Sequence, residues 1–164
     1  MFYIRNFEGN KNEFEFFQEM LYESVIIPVN KPSKEVLLNS PDIRKYHEGW
    51  GRKGDTVLIA FDAENQTVGA VWYRLFDENN KSYGYIDSNT PEIGIAVSKD
   101  VRGRGRGLGT LLMRKIIQQA QDEGYNTISL SVDLENSVAI NIYNKLGFQD
   151  YEVVGTSKTM IYKL

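Results

Sequence analysis

The run Arg104-Gly105-Arg106-Gly107-Leu108-Gly109 is the most informative stretch of this chain, because it joins a strand pattern at residues 93–97 to a helix pattern at residues 110–117. The first N–H groups of a helix lack intrahelical partners and carry partial positive charge, and glycine lets an anion approach the main chain closely. Three nearby arginines can pair with phosphate oxygens: Arg102, Arg104 and Arg106. The run therefore predicts a phosphate-binding turn at a helix N-terminus.

The glycine spacing excludes two well-known phosphate motifs. Glycines at every second position from Gly103 to Gly109 do not match the G-x-G-x-x-G pattern of dinucleotide-binding folds. No Gly-Lys-Ser/Thr follows them, so the run lacks the lysine and the magnesium-binding hydroxyl of a nucleotide-hydrolysing P-loop. The pattern that remains is Arg104-x-x-Gly107-x-Gly109. Because a plain glycine-rich loop also fits so short a pattern, its context decides what it means.

A second motif follows after one helix and one strand. Residues 127–132 are typical of a strand, and Asn136-Ser137-x-Ala139-x-x-x-Tyr143-x-Lys145-x-Gly147-Phe148 is typical of a short helix that ends in Gly-Phe. Together with the arginine-glycine run, and in this order, the motif resembles the two signatures of the GNAT acetyltransferases. The resemblance covers residues 56–164 with good definition, and residues 1–55 only by their expected place in the fold.

The resemblance implies an α/β (α+β) GNAT fold with a mixed central sheet. About six to seven strands, splayed in the middle of the sheet, and about four helices are expected. We expect residues 1–164 to form a single acetyltransferase domain. A chain of this length usually contains about one domain. Within it, residues 1–55 would supply an acceptor-side strand and helices, and residues 56–164 the acetyl-CoA-binding core.

Local patterns extend this expectation to individual elements. Apolar residues at helical spacing predict a helix over residues 12–22, and β-branched and aromatic residues predict strands over Thr56 to Phe61 and Thr67 to Phe76. The helix after the glycine-rich run should bury one face, made of Leu108, Leu112, Met113, Ile116, Ile117 and Ala120.

Composition excludes several other classes of protein. The chain has no cysteine, which excludes disulfides, thiolate metal sites and a cysteine nucleophile, and His47 is its one histidine, so we expect no metal site. No signal-peptide pattern or long apolar run is present, which favours a cytoplasmic protein without a membrane partner. The net charge of −3, with both signs mixed along the chain, disfavours nucleic acid as a partner.

The resemblance also implies acetyl-CoA as cosubstrate and names the residues that would bind it. The backbone of Ile95, Ala96 and Val97 would pair with the pantetheine arm as an added strand does. Asn136 would contact the same arm, cap the helix that follows it, or do both. The phosphate loop would use Arg102, Arg104, Gly105, Arg106, Gly107, Leu108, Gly109 and Thr110.

The register of that loop has two solutions. The distance from Val97 favours residues 102–107 as the loop, whereas the apolar Leu108 favours residues 104–109. We prefer the second register, because the first places Arg106 where an apolar side chain normally enters the core, and burying an unpaired charge is costly.

Two residues are candidates for proton transfer. Tyr143 matches the tyrosine that the family is thought to use to protonate the departing thiolate, and its reference pKa of ~10 keeps it protonated at neutral pH. The alternative for Tyr143 is a packed aromatic. Glu92 is the preferred base, acting through water, because a carboxylate partly buried at a strand end has a raised pKa; the alternative is an exposed charge. His47 is a weaker candidate for the base.

The expected function is direct acetyl transfer from acetyl-CoA to a primary amine on a small molecule or a protein or peptide N-terminus. Two alternatives remain open: a non-catalytic acyl-CoA-binding module on the same fold, and an Arg-Gly nucleic-acid-binding protein. A homodimer is also an open expectation. The acceptor side is expected to be walled by aromatic residues and an arginine: Trp50, Trp72, Tyr73, Arg74, Tyr83 and Tyr85.

Overall fold

The computed structural model describes residues 1–101 and 107–164. In these ranges the chain forms seven strands and five helices. In chain order they are β1 (Tyr3–Asn6), α1 (Lys11–Ser24), α2 (Lys34–Leu38), α3 (Pro41–Arg44), β2 (Thr56–Phe61), β3 (Thr67–Arg74), β4 (Glu92–Val97), α4 (Leu108–Asp122), β5 (Thr127–Asp133), α5 (Ser137–Leu146), β6 (Gln149–Val154) and β7 (Ser157–Lys163).

The strands form one sheet in the order β1-β2-β3-β4-β5-β7-β6, in which β4 and β5 are the parallel pair and the other neighbours run antiparallel. The parallel pairing is short, because only Glu92 with Ser129 and Ile93 with Leu130 are in register. Beyond Ile93 the two strands separate, while β4 stays paired with β3 along its whole length. The expected mixed sheet with splayed middle strands is confirmed.

Helices cover both faces of the sheet and bury two cores. Strand residues alternate between the faces, so neighbours such as Trp72 and Tyr73 belong to different cores. Helix α4 covers one face with Leu108, Leu112, Met113, Ile116 and Ala120. Of the face predicted for this helix, Ile117 is only partly buried. Helix α1 covers the other face with Phe17, Met20 and Leu21.

Two elements differ from the expectation. Helix α3, with proline in its first turn, was not predicted and raises the number of helices to five. Strand β3 ends at Arg74 instead of Phe76, because its neighbours supply no partner further on: Thr56 begins β2 opposite Tyr73, and Glu92 begins β4 opposite Arg74.

A buried ion pair joins the end of β3 to the segment of residues 1–55. The Nε of Arg74 donates to Oδ1 of Asp55 at 2.9 Å, and both side chains are 1% exposed. Arg74 also donates through Nη1 to the Lys45 carbonyl at 2.8 Å. Asp55 accepts through Oδ2 from the backbone N–H groups of Gly51 and Arg52, each at 2.9 Å. The pair thus holds the end of α3 and the loop before β2 against the sheet.

Asp55→Ala should therefore destabilise the fold strongly, because it leaves the Arg74 guanidinium buried without its carboxylate. We expect a loss of about 3–5 kcal/mol in the free energy of unfolding, measured by urea denaturation. Glu48→Ala is the matched control, since Glu48 pairs with Arg44 at 3.2 Å with both side chains more than half exposed. It should cost at most about 1 kcal/mol. Equal losses in the two variants would contradict the structural role of the buried pair.

Candidate active site

A cavity of about 500 Å³ opens where β4 and β5 separate. Its walls come from β4, from the end of β5, from one face of α5 and from the C-terminal end of α1. Among the residues that the structure describes, the β5-facing edge of β4 has no strand partner from Gly94 to Val97. Because backbone N–H and C=O groups need partners, this edge can accept an extended ligand as an added strand.

The three strand residues predicted to bind the cosubstrate lie along this edge. Ile95, Ala96 and Val97 are half-buried and line the cavity. Trp72 crosses Gly94 on the neighbouring strand, and a Cβ at Gly94 would overlap the indole ring. The glycine therefore lets the indole lie against the strand and form part of the cavity wall.

The N-terminus of α4 faces the same cavity. Gly107 is the residue before the helix, in the left-handed conformation with φ of +67°. Leu108 is buried, as expected for an apolar residue entering the core here, while Gly109 lines the cavity and Thr110 is half-buried. Arg102, Arg104, Gly105 and Arg106 lie outside the described residues, and the register of the loop stays a prediction.

Asn136 is the residue before α5 and lines the cavity. Its Oδ1 accepts a hydrogen bond from the backbone N–H of Ala139 at 3.2 Å, which confirms that it caps the helix. A primary amide has a second acceptor lone pair and two donors, so capping leaves Asn136 able to bind a ligand as well. A contact with a bound cosubstrate stays a prediction.

Tyr143 lies one turn before the end of α5, and its side chain contributes to the cavity wall. It packs against Phe148 with ring centroids 5.9 Å apart. Burial raises the pKa of Tyr143 to about 12. The packed-aromatic alternative therefore describes part of its environment, yet the hydroxyl keeps its proton at neutral pH, as a proton donor must.

Glu92 is the first residue of β4 and is buried, with 7% exposure. Its Oε1 accepts from the Tyr46 hydroxyl at 3.1 Å, and its Oε2 accepts from the Gly84 N–H at 2.7 Å. Burial raises the pKa of Glu92, and hydrogen-bond donors at Ser82, Gly84 and Tyr46 oppose part of that rise. The alternative of an exposed strand-end charge is wrong, since Glu92 is enclosed and lines the cavity.

Sequence reasoning missed the partners that hold Glu92. Tyr46 lies 46 residues away in the chain, and nothing in the local sequence pairs it with the carboxylate. The glycine at position 84 is a weak sequence signal of a close contact at this point. In the structure, a Cβ there would lie 3.0 Å from the Leu130 carbonyl carbon. Its own carbonyl accepts from the Ser129 hydroxyl at 2.7 Å, which ties the loop before β4 to β5.

The predicted acceptor wall is partly wrong. Trp72 and Tyr83 line the cavity, as expected. Four others pack elsewhere: Tyr73 faces the core under α4, Arg74 pairs with Asp55, Trp50 packs on Phe17, and Tyr85 lies beside Lys81.

The C-terminal end of α1 and the segment after it contribute instead, through Leu21, Glu23, Ser24, Val25 and Ile26. These residues carried no motif. His47 is also away from this wall, because its ring hydrogen-bonds the Gln18 side chain at 3.1 Å and the Leu38 carbonyl at 2.8 Å.

The acetyltransferase (GNAT) family matches residues 19–148, which is most of the chain. The chain belongs to the GNAT acetyltransferase family. It is 47% identical over 51 residues to an uncharacterised N-acetyltransferase of Methanocaldococcus jannaschii, a match that covers 31% of this chain and 23% of that protein. Over 98 residues it is 28% identical to the L-methionine sulfoximine/L-methionine sulfone acetyltransferase of Pseudomonas paraeruginosa, covering 60% of this chain and 53% of that enzyme.

The chain thus spans about half or less of the length of these two curated relatives. A solved GNAT structure matches over nearly the whole chain: the GCN5-related N-acetyltransferase from Kribbella flavida, with a TM-score of 0.70 at 19% identity, covers 99% of this chain and 98% of its own. That likeness concerns the fold.

Two further features concern residues 1–101 and 107–164, namely clusters of metal-ligating side chains and membrane-spanning helices. No group of three or more histidine, aspartate or glutamate side chains there could hold a metal ion. In the same ranges, no helix is both long enough and apolar enough to cross a membrane.

The two glycines at the start of α4 should respond oppositely to substitution by alanine. Gly107→Ala forces a Cβ into a left-handed residue and should destabilise the protein by about 1–2 kcal/mol. Gly109→Ala places a methyl group in open space on a helix and should be neutral or stabilising by up to about 1 kcal/mol. Urea denaturation of both variants measures the difference. A Gly107→Ala protein as stable as Gly109→Ala would contradict the left-handed conformation.

Proposed function

We propose that this GNAT protein transfers an acetyl group from acetyl-CoA directly to a primary amine, carried by a small molecule or by a protein or peptide N-terminus. The observation that carries the proposal is the cavity between β4 and β5, which brings a buried carboxylate, an unpaired strand edge and a protonated tyrosine together. Membership of a family that uses acetyl-CoA supports the same reaction.

The cosubstrate would bind along β4 and at the N-terminus of α4. The backbone of Ile95, Ala96 and Val97 would pair with the amide groups of pantetheine. The side-chain amide of Asn136, which keeps its two donors after capping α5, would lie next to it. The first N–H groups of α4, from Leu108 to Thr110, would bind the pyrophosphate together with Gly107. We propose that Arg102, Arg104, Gly105 and Arg106 extend this phosphate site, because arginine pairs with phosphate oxygens in a two-pronged geometry.

The proposed chemistry needs three functions from the protein. Glu92, as a carboxylate, takes a proton from the acceptor ammonium through one or more waters, which leaves a neutral nucleophile. The amine nitrogen then bonds to the acetyl carbon, and a β4 backbone N–H stabilises the oxyanion that forms. When the carbon–sulfur bond breaks, the Tyr143 hydroxyl donates its proton to the departing thiolate. The nitrogen still carries one proton more than an amide does, and this proton passes through water to the Tyr143 phenolate. Glu92 releases its proton to solvent, so one proton is produced for each acetyl group transferred.

The two parts of the chain would divide the work within one domain of residues 1–164. We assign acetyl-CoA to residues 56–164 and the acceptor to the side formed by residues 1–55, where Leu21, Val25 and Ile26 give the wall an apolar character. Trp72 and Tyr83 complete that wall from the core segment. Neither nucleic acid nor membrane is part of the proposal, and a homodimer stays a prediction.

The first experiment measures ligand binding and transfer separately. Saturation with acetyl-CoA to about 100 times its Kd should stabilise the protein by about 2.7 kcal/mol and raise Tm by a few degrees, whereas ATP and short RNA should not. Acetylation of a panel of primary amines is then followed by thiol release and by product mass. A Tm shift without product would favour the non-catalytic module, and an equal shift with RNA would contradict the cofactor assignment.

Tyr143→Phe should lower kcat by roughly 10²-fold, the lower end of the range for general acid–base catalysis, while acetyl-CoA binding stays nearly unchanged. The reason is that the substitution removes the hydroxyl proton and little of the packing on Phe148. Tyr151→Phe is the matched control, since Tyr151 is about half exposed on β6, and its turnover should equal that of the wild type. An unchanged kcat in Tyr143→Phe would remove Tyr143 from the mechanism.

Glu92→Gln should flatten the acidic limb of the pH profile of kcat/KM. Because burial raises the pKa of Glu92, the wild-type rate should rise as pH increases through that pKa and the carboxylate forms. Glutamine cannot titrate, so the variant should be slow at every pH. The control is Glu152→Gln, an exposed position on β6, which should keep the wild-type limb. If the acidic limb of kcat/KM is still present in Glu92→Gln, the base is another group.

A further inference from the structure

Tyr46 donates a hydrogen bond to Glu92, and this bond has no role in the reaction proposed above. The Tyr46 ring is buried just after α3, and its hydroxyl donates to Oε1 of Glu92 at 3.1 Å. The same hydroxyl accepts from the backbone N–H of Tyr83 at 2.9 Å. Since an amide N–H can only donate, the single hydroxyl proton of Tyr46 is directed to Glu92.

The surrounding packing fixes this geometry. The Tyr46 ring meets Phe76 edge-on at 5.1 Å and lies parallel to the Tyr83 ring at 6.3 Å. On the other side, Oε2 of Glu92 is held by Gly84, which is itself tied to the fully buried Ser129. Both carboxylate oxygens are thus held by fixed donors, and Glu92 also lines the cavity.

We propose that Tyr46 is a positioning residue for acetyl transfer: its hydroxyl holds the Glu92 carboxylate in the cavity in the ionised, proton-accepting form. This rests on the proposed function, in which Glu92 is the base. Tyr46 belongs to the acceptor-side segment and Glu92 to the acetyl-CoA-binding core, so the hydrogen bond joins the two parts of the site.

The groups around Glu92 agree with this role. Burial raises the pKa of the Tyr46 hydroxyl well above its usual value, so Tyr46 remains a donor throughout the working range of pH. Lys45 favours the ionised form of Glu92 and lowers its pKa, although its Nζ binds the Lys81 carbonyl. Arg74, opposite Glu92 on β3, is occupied by Asp55, and the pKa of Tyr83 is itself raised by burial. The buried Ser82 hydroxyl also lies beside Glu92 and lowers its pKa. Tyr46 differs from Ser82 because its hydroxyl donates to Oε1 at 3.1 Å and is fixed by the Tyr83 N–H.

The test compares Tyr46→Phe with the wild type in the full chain. The Glu92 carboxyl carbon is followed by NMR as pH is varied, and its signal is assigned by its loss in Glu92→Gln. Because a hydrogen bond to a charged group is lost, the Glu92 pKa should rise by about one unit. The acidic limb of kcat/KM should move upward by the same amount, which means a roughly tenfold loss of rate on that limb.

Tyr22→Phe is the matched control, because its hydroxyl also anchors the acceptor-side segment, by donating to the Pro32 carbonyl at 2.7 Å. It should leave both the carboxyl titration and the pH profile unmoved. A double variant adds a second check. In the Glu92→Gln background, Tyr46→Phe should no longer change the pH dependence, since the two residues act as a unit.

The outcomes separate this inference from the proposed function. A shifted carboxyl titration together with a shifted limb supports the positioning role. If transfer is measurable and the limb of Tyr46→Phe does not move, or Tyr22→Phe moves it equally, the role is overturned. If the wild type transfers no acetyl group to any amine tested while the titration still shifts, the proposed function fails and the positioning role fails with it, although the hydrogen bond itself stands.

Discussion

The separation of β4 from β5 after Ile93 is the constraint on which the rest of the structure depends. Two parallel strands normally satisfy each other's backbone groups, and here four residues of β4 lack that partner on one edge. The fold tolerates this because β3 pairs with β4 throughout and because helices close both faces of the sheet. The exposed edge and the cavity beside it are therefore one feature, which a continuous sheet would not have.

The same separation explains why Glu92 can be buried. A carboxylate without partners would be costly in the interior, and Glu92 lies in the short stretch, Glu92 and Ile93, where the two strands are still paired. There the loop before β4 can reach it from one side and Tyr46 from the other. Burial and hydrogen bonding act on the carboxylate in opposite directions, so its proton affinity is set by a balance that small changes in either partner can shift.

Sequence patterns predicted the elements that repeat a local rule. The buried face of α4 and the strands from Thr56 onward follow from periodicity, and the two motifs around Gly107 and Asn136 identified the family. The partners of Glu92 could not be predicted, because the Tyr46 contact spans 46 residues and depends on how α3 meets the sheet. The prediction of the acceptor wall was partly wrong for a related reason. Successive residues of a strand face opposite sides of the sheet, so the adjacent residues Trp72 and Tyr73 lie in different cores.

Two buried polar contacts, Arg74 with Asp55 and Tyr46 with Glu92, bind residues 1–55 to the rest of the domain, and they differ in what they can contribute. Arg74 with Asp55 is closed to solvent on both sides, so its energy goes into holding the segment in place. The hydrogen bond from Tyr46 to Glu92 lies at the cavity wall. It therefore acts on a carboxylate that is able to exchange a proton with a group in the cavity. The main-chain carbonyl of Lys45, the residue before Tyr46, accepts from Arg74. The Arg74–Asp55 pair therefore fixes the backbone from which Tyr46 reaches the carboxylate, so the stability of this segment and the position of Glu92 depend on the same short turn.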